Sequence, residues 1–102
     1  MDSLDFDKLD DVMKYSDPFK VVRNAQKLYG DDVLITVSSL PTKKYMIMNP
    51  HTSKWIHFGE MGMEDFTKHN DKQRRRNFKQ RNRAWKHHDK YSPAYMSYYL
   101  TW

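Results

Sequence analysis

The chain has 102 residues, a net charge of +5 and no cysteine, which bounds it to one small domain with a thin core and excludes disulfides and thiolate metal sites. No apolar run approaches the roughly 18 residues of a membrane span, and fifteen aromatic residues (five Phe, seven Tyr, three Trp) let few core positions suffice. The charge is uneven. In residues 1–32, five basic against eight acidic side chains give −3; residues 33–67 balance three against three; in residues 68–90, ten basic against two acidic give +8. Charge concentrated in this way points to a polyanionic partner more than total charge does.

Residues 1–16 read as an acidic N-terminal segment. The opening Met1-Asp2-Ser3-Leu4-Asp5 is acidic where a secretory signal would be basic and then apolar, which predicts a chain not exported by that route. Phe6, Leu9 and Met13 follow a three-then-four spacing and predict one helical face. Two roles are open for it, a frayed tail or an acidic helix docked on the basic segment or on a partner.

A single compact α+β domain is expected over residues 17–102. Ser16 or Asp17 caps a helix, Pro18 suits its first position, and Gly30 stops it, so a helix is predicted from Asp17 to Tyr29. Lys20, Arg23 and Lys27 on its outer face read as solvated charge. The β-branched run Val33–Val37 predicts a strand, Lys44–Met48 a second after a loop with Pro41, and Lys54–Phe58 a third after the turn signal Asn49-Pro50-His51-Thr52. Short links make these a three-stranded antiparallel meander. On the third strand, Trp55 and His57 share one face and Ile56 and Phe58 the other.

Residues 59–63 carry two glycines and read as a loop, and residues 64–68 as one helical turn. A basic helix is then expected near 71–88. Phe78 and Trp85, seven apart, share a face and are its anchor, with base stacking as the alternative. The tail from Tyr91 to Trp102 is too apolar for solvent and is expected to pack back on the sheet; a protein interface is the alternative.

Arginine offers forked donors that match phosphate oxygens, and lysine a point charge. The candidate nucleic-acid contacts are Arg74, Arg75, Arg76, Lys79, Arg81, Arg83 and Lys86, with Lys43 and Lys44 secondary. Spread over several azimuths, they favour sequence-tolerant backbone contacts over base reading. Gln73, Asn77, Gln80 and Asn82 are of types that meet base edges but are ordinary on a helix surface. His57 reads as structural. Without cysteines or a histidine pair one turn apart, a zinc site is not expected. A cluster of Glu60, Glu64, Asp65 and His69, or of His69 with Asp71, would suit metal chemistry; capping by Asp65 and Asp71 is the plainer reading. No enzyme motif is present, and no catalytic residue or cofactor is expected.

The segments Lys43-Lys44-Tyr45-Met46, Trp55-Ile56-His57-Phe58-Gly59 and Asp65-Phe66-Thr67-Lys68-His69-Asn70-Asp71 with Arg74-Arg75, together with Tyr91-Ser92-Pro93 and Leu100-Thr101-Trp102, carry a resemblance. The chain resembles small, uncharacterised basic proteins of large nucleocytoplasmic DNA viruses of eukaryotes, over about residues 17–102. It departs at Asn70, where lysine would be expected, and over Asn77–Trp85. The resemblance implies a viral source, a compact α+β domain and a place in the virion or host-cell interior, and it supplies no activity. Two functions follow as expectations: a non-enzymatic protein binding DNA or RNA through phosphates, or a minor capsid or cement-type virion protein whose basic helix and aromatic tail bind acidic protein surfaces.

Overall fold

The computed structural model describes residues 6–102. Two helices lead, α1 (Phe6–Met13) and α2 (Pro18–Tyr29). Strands β1 (Ile35–Val37), β2 (Lys43–Asn49) and β3 (Lys54–Glu60) follow, then α3 (Phe66–His69) and α4 (Lys72–Arg81). A 3-10 turn (Arg83–His87) leads to α5 (Pro93–Met96), which runs on into a π-helical turn (Ser97–Thr101). The three strands form one antiparallel sheet in the order β1-β2-β3, so the domain is α+β with the expected meander.

Register decides what is buried. Val37 lies opposite Tyr45 and Tyr45 opposite Phe58; Ile35 lies opposite Ile47 and Ile47 opposite Ile56. Strand alternation puts these six side chains on one face. Val21 and Ala25 of α2 and Met96 and Leu100 of the C-terminal helix complete the core there. Each fully buried side chain of this size is worth about 1.5–3 kcal/mol, so the tail that packs back is a main stabiliser of the domain.

Helix α2 forms as its sequence predicts. The Asp17 side chain accepts from the amides of Phe19 and Lys20, and Gly30 closes the helix at φ 106°, a conformation that glycine adopts at least cost. α1 departs from expectation. Val12 is its buried residue, whereas Phe6 is 66% exposed and Met13 is also exposed. The contact face is centred on Leu9 and Val12, one turn apart, because α1 lies against β1 and its Lys8 Nζ donates to the Leu40 carbonyl at 2.7 Å. Val12 sits in the common core and Ser16 is buried. Residues 6–16 therefore belong to the domain and are not a segment apart from it, and α1 docks on the sheet edge. Leu4 lies outside the described residues.

β1 starts two residues later than predicted, and β3 runs on through Gly59 to Glu60. Gly59 has φ 81°, and a Cβ there would meet Lys44 Cβ at 3.2 Å. The larger departure is in the basic helix, which ends at Arg81 instead of running to about residue 88. Asn82 is the cause. Its amide N–H and its side-chain Nδ2 both donate to the Phe78 carbonyl, each at 3.0 Å. A side chain that competes for helical carbonyls in this way breaks the helix into a tighter turn.

Candidate nucleic-acid interface

Residues 65–71 aim α4. Asp65 caps α3 through the Thr67 amide, and Asn70 ends α3 in the left-handed conformation, φ 57°. Asp71 then caps α4, accepting from the amides of Gln73 at 3.0 Å and Arg74 at 3.1 Å. Those amide bonds, Arg74's first, hold the Asp71 carboxyl below the usual carboxylate range. Both acids thus act as caps, as the plainer reading expected.

No side chain of α4 is fully buried. Its seat is aromatic. The Phe78 ring stacks on Trp102, with centroids 4.3 Å apart and planes 7° from parallel. Trp85 meets Phe78 edge-on at 5.8 Å. Phe78 and Trp85 are therefore the anchor, although the break at Asn82 puts Trp85 beyond the helix. Arg75 Nε donates to the Trp102 carbonyl at 2.7 Å, and its guanidinium lies 4.8 Å from the Phe66 ring centre. Lys79 sits 4.5 Å from the Tyr98 ring centre. Burial, and then the charge of Arg75, push the Lys79 ammonium down to about 8. A consequence is testable. Phe78→Ala should loosen α4 while the sheet survives, at a cost of about 2 kcal/mol, less than for a fully buried ring. Near-ultraviolet dichroism, which reports packed rings, should fall while the far-ultraviolet signal of the sheet is kept.

The candidate contacts divide into two groups. Arg74, Arg75, Arg76, Arg81, Arg83 and Lys86 are exposed, and Lys79 is half-buried. Among the described residues none of them forms an ion pair with an Asp or Glu side chain; the described pairs are Lys14–Asp11, Lys43–Glu60 and Lys44–Asp65. Lys43 and Lys44 stand apart from that set. Lys43 Nζ lies 2.7 Å from Glu60 Oε1 across the β2–β3 pair, so its charge is already met. Lys44 is 2% exposed, 3.1 Å from Asp65 Oδ2, and also donates to the Met63 carbonyl. It is a structural residue closed off from any phosphate. Burial pulls its ammonium below the usual lysine value, and Asp65 opposes the shift.

The Lys44–Asp65 pair ends a buried polar chain. Tyr45 Oη donates to Ser16 Oγ at 2.6 Å, Ser16 Oγ lies 3.1 Å from Thr67 Oγ1, and the Thr67 hydroxyl donates to Asp65 Oδ1. The Asp65 amide donates to the Tyr15 carbonyl at 2.9 Å. The segment that aims α4 is thereby tied to the α1–α2 junction and to β2. Sequence reading missed this role of Ser16, Lys44 and Thr67. The signal was there in an alternation that places Lys44 among apolar strand residues.

Several polar residues of α4 are spent locally. Gln73 Nε2 donates to Asn77 Oδ1 at 3.0 Å, and Arg76 Nη1 donates to Gln73 Oε1 at 2.7 Å. Asn82 is bonded to its own helix, and Gln80 is exposed. Glu60, Glu64, Asp65 and His69 do not converge on a metal. Among the described residues there is no group of three or more such side chains that could hold one. His57 Nδ1 on β3 is 2.7 Å from Oγ of Ser38, the residue after β1, a structural bond.

His69 has a different task. Its Nδ1 accepts from the Asp71 amide at 2.8 Å, its ring lies 5.2 Å from that of Trp102, and its Nε2 is buried without a hydrogen-bond partner among the described residues. Burial first, and Arg74 next, lower its pKa. The unfolded imidazole takes up a proton near pH 6.5 and the folded one only at lower pH. The stability His69 confers is thus complete above about 6.5 and is lost as pH falls through the folded value. Thermal midpoints should therefore drop from pH 7 to pH 5, and His69→Asn, which keeps an acceptor but no titration, should drop less.

The fold and site define a small α+β domain that holds a cationic helix on an aromatic seat. Over residues 33–82 the chain is similar to a family of unknown function, DUF5754. That stretch takes in the sheet, the Lys44–Asp65 pair and α4, and leaves out α1, α2 and the C-terminal helix. No curated protein and no solved structure matches the chain. Among the described residues no helix is long and apolar enough to cross a membrane.

Proposed function

We propose that this is a non-enzymatic protein that binds DNA or RNA through its phosphates. The observation that carries the reading is the exposed guanidinium set of α4 and the following turn, which has no Asp or Glu side-chain partner among the described residues. Arginines spread over several azimuths without an acidic side chain beside them suit the phosphate backbone. Binding is driven by counterion release and weakens steeply with salt. The resemblance to proteins of large DNA viruses supports a viral setting, in the virion or at a replication site.

The test is binding to labelled duplex DNA and single-stranded RNA across a salt series. Affinity should fall linearly in log salt. Arg74→Glu/Arg76→Glu/Arg81→Glu should reduce the slope by about 3, one unit per lost contact. These positions avoid Arg75, whose bond to Trp102 is structural. Binding to neither nucleic acid at low salt would end this reading. It would favour the second, a virion protein gripping acidic protein surfaces, for which Lys79 against Tyr98 and Tyr99 offers a mixed aromatic and cationic surface.

A further inference from the structure

Two rows of cations from different helices meet at Arg75. On α2, Lys20, Arg23 and Lys27 recur at three- and four-residue intervals, which places them on one stripe, and all three are exposed. On α4, Lys72, Arg75, Arg76 and Lys79 repeat the same spacing. The α2 stripe and Arg75 border a groove of about 340 Å³ whose walls include Phe66, Tyr99 and Trp102. The α4 stripe borders an adjoining hollow with Tyr98, and Arg75 lines both. No Asp or Glu side chain lines either one.

We propose that this groove, walled by α2, by residues 66–70 and by the C-terminal turn and bordered by Arg75 of α4, seats a phosphodiester strand, with the α2 stripe supplying half of the grip. The proposal rests on the phosphate-binding reading and deepens it, because it extends the site from the outer face of α4 across Arg75 to α2. Cations gathered along adjoining hollows with no Asp or Glu side chain in their walls repel one another, and a bound polyanion relieves that repulsion. The groove is also framed. Lys20 Nζ donates to Asn70 Oδ1 at 3.1 Å, which ties α2 to the residue before the α4 cap, and Asn24 Nδ2 donates to the Leu100 carbonyl at 2.9 Å. Arg75 spends Nε on the Trp102 carbonyl. A guanidinium has five donors, so its Nη groups remain for a phosphate oxygen. The aromatic walls give a strand's sugars and bases an apolar surface beside the charge.

The experiment compares three full-length proteins on labelled duplex DNA and single-stranded RNA across a salt series. They are the wild type, Lys20→Gln/Arg23→Gln/Lys27→Gln, and a control of equal charge loss, Lys14→Gln/Lys54→Gln/Lys90→Gln. Thermal melts confirm folding, and Arg23→Gln/Lys27→Gln serves if the triple variant is unstable. The α2 variant is expected to lose affinity at least about tenfold at physiological salt and to shed about 2–3 units of salt slope, with the control close to wild type. Equal losses in variant and control would overturn the groove, leaving a bulk charge effect. An unchanged α2 variant, beside an α4 triple variant that fails to bind, would overturn the groove alone. Absence of wild-type binding at low salt would overturn the phosphate reading and the groove with it.

Discussion

Asp65→Ala should cost the domain about 3–5 kcal/mol, the range for breaking a buried ion pair by removing one partner. Lys44, 2% exposed, would be left with the Met63 carbonyl and no counter-charge. The α3 cap and the acceptor of the Thr67 hydroxyl would go as well. Against a total stability of about 5–15 kcal/mol for an ordinary domain, that is a large share. Lys44→Met leaves the buried Asp65 carboxylate without its counter-charge but keeps its bonds to Thr67, so it should cost somewhat less. The double variant Lys44→Met/Asp65→Asn should recover part of the loss, since a satisfied neutral site avoids the penalty of an unpaired charge. Urea unfolding of the three variants measures the cycle. A cost below about 1 kcal/mol for Asp65→Ala would show that the pair is not the closed, desolvated contact described above.

Leu100→Ala is the second large effect, at about 3 kcal/mol. Leu100 is 1% exposed and packs in the same core as Val21, Ala25 and Phe58. At about 4–8 °C per kcal/mol for a domain near this size, the thermal midpoint should fall by more than 10 °C. The loss should also reach the basic helix. The C-terminal turn carries Trp102, on which Phe78 stacks and to which Arg75 bonds. Weaker polyanion binding at temperatures just below the new midpoint is therefore expected. Tyr99→Ala, at an exposed position of the same turn, is the comparison and should shift the midpoint by much less.

The fold was legible where local chemistry and global packing agree. Asp17-Pro18 and Gly30 bracket α2, and the β-branched and aromatic runs around Asn49-Pro50 give the meander, because capping and turn residues act within a few positions. The tail was legible for a cruder reason, since four tyrosines, Leu100 and Trp102 have too much apolar surface to leave in water. The site was legible only in part. Charge density marked α4, but which lysines are available depends on neighbours distant in sequence. Lys44 finds Asp65 and Lys43 finds Glu60; the alternation along β2 marks Lys44 as set among apolar residues, but it names neither partner. Asn82 was read as one more surface amide, and only the carbonyl it takes from Phe78 turns it into a helix stop. α1 misled because a stripe of Phe6, Leu9 and Met13 is as periodic as the contact through Leu9 and Val12 that the sheet edge selects.

The absence of any fully buried side chain on α4 has a thermodynamic consequence. A segment held by a ring stack, an arginine bond and cation–ring contacts at its surface belongs to the low-stability end of a fold, and it is expected to open on its own while the core stays closed. The docked helix is then one member of an equilibrium, and the affinity any ligand shows is its intrinsic affinity reduced by the docked fraction. Changes that deepen the Phe78–Trp102 seat should tighten binding without touching the ligand, and a bound ligand should in turn slow amide exchange along α4.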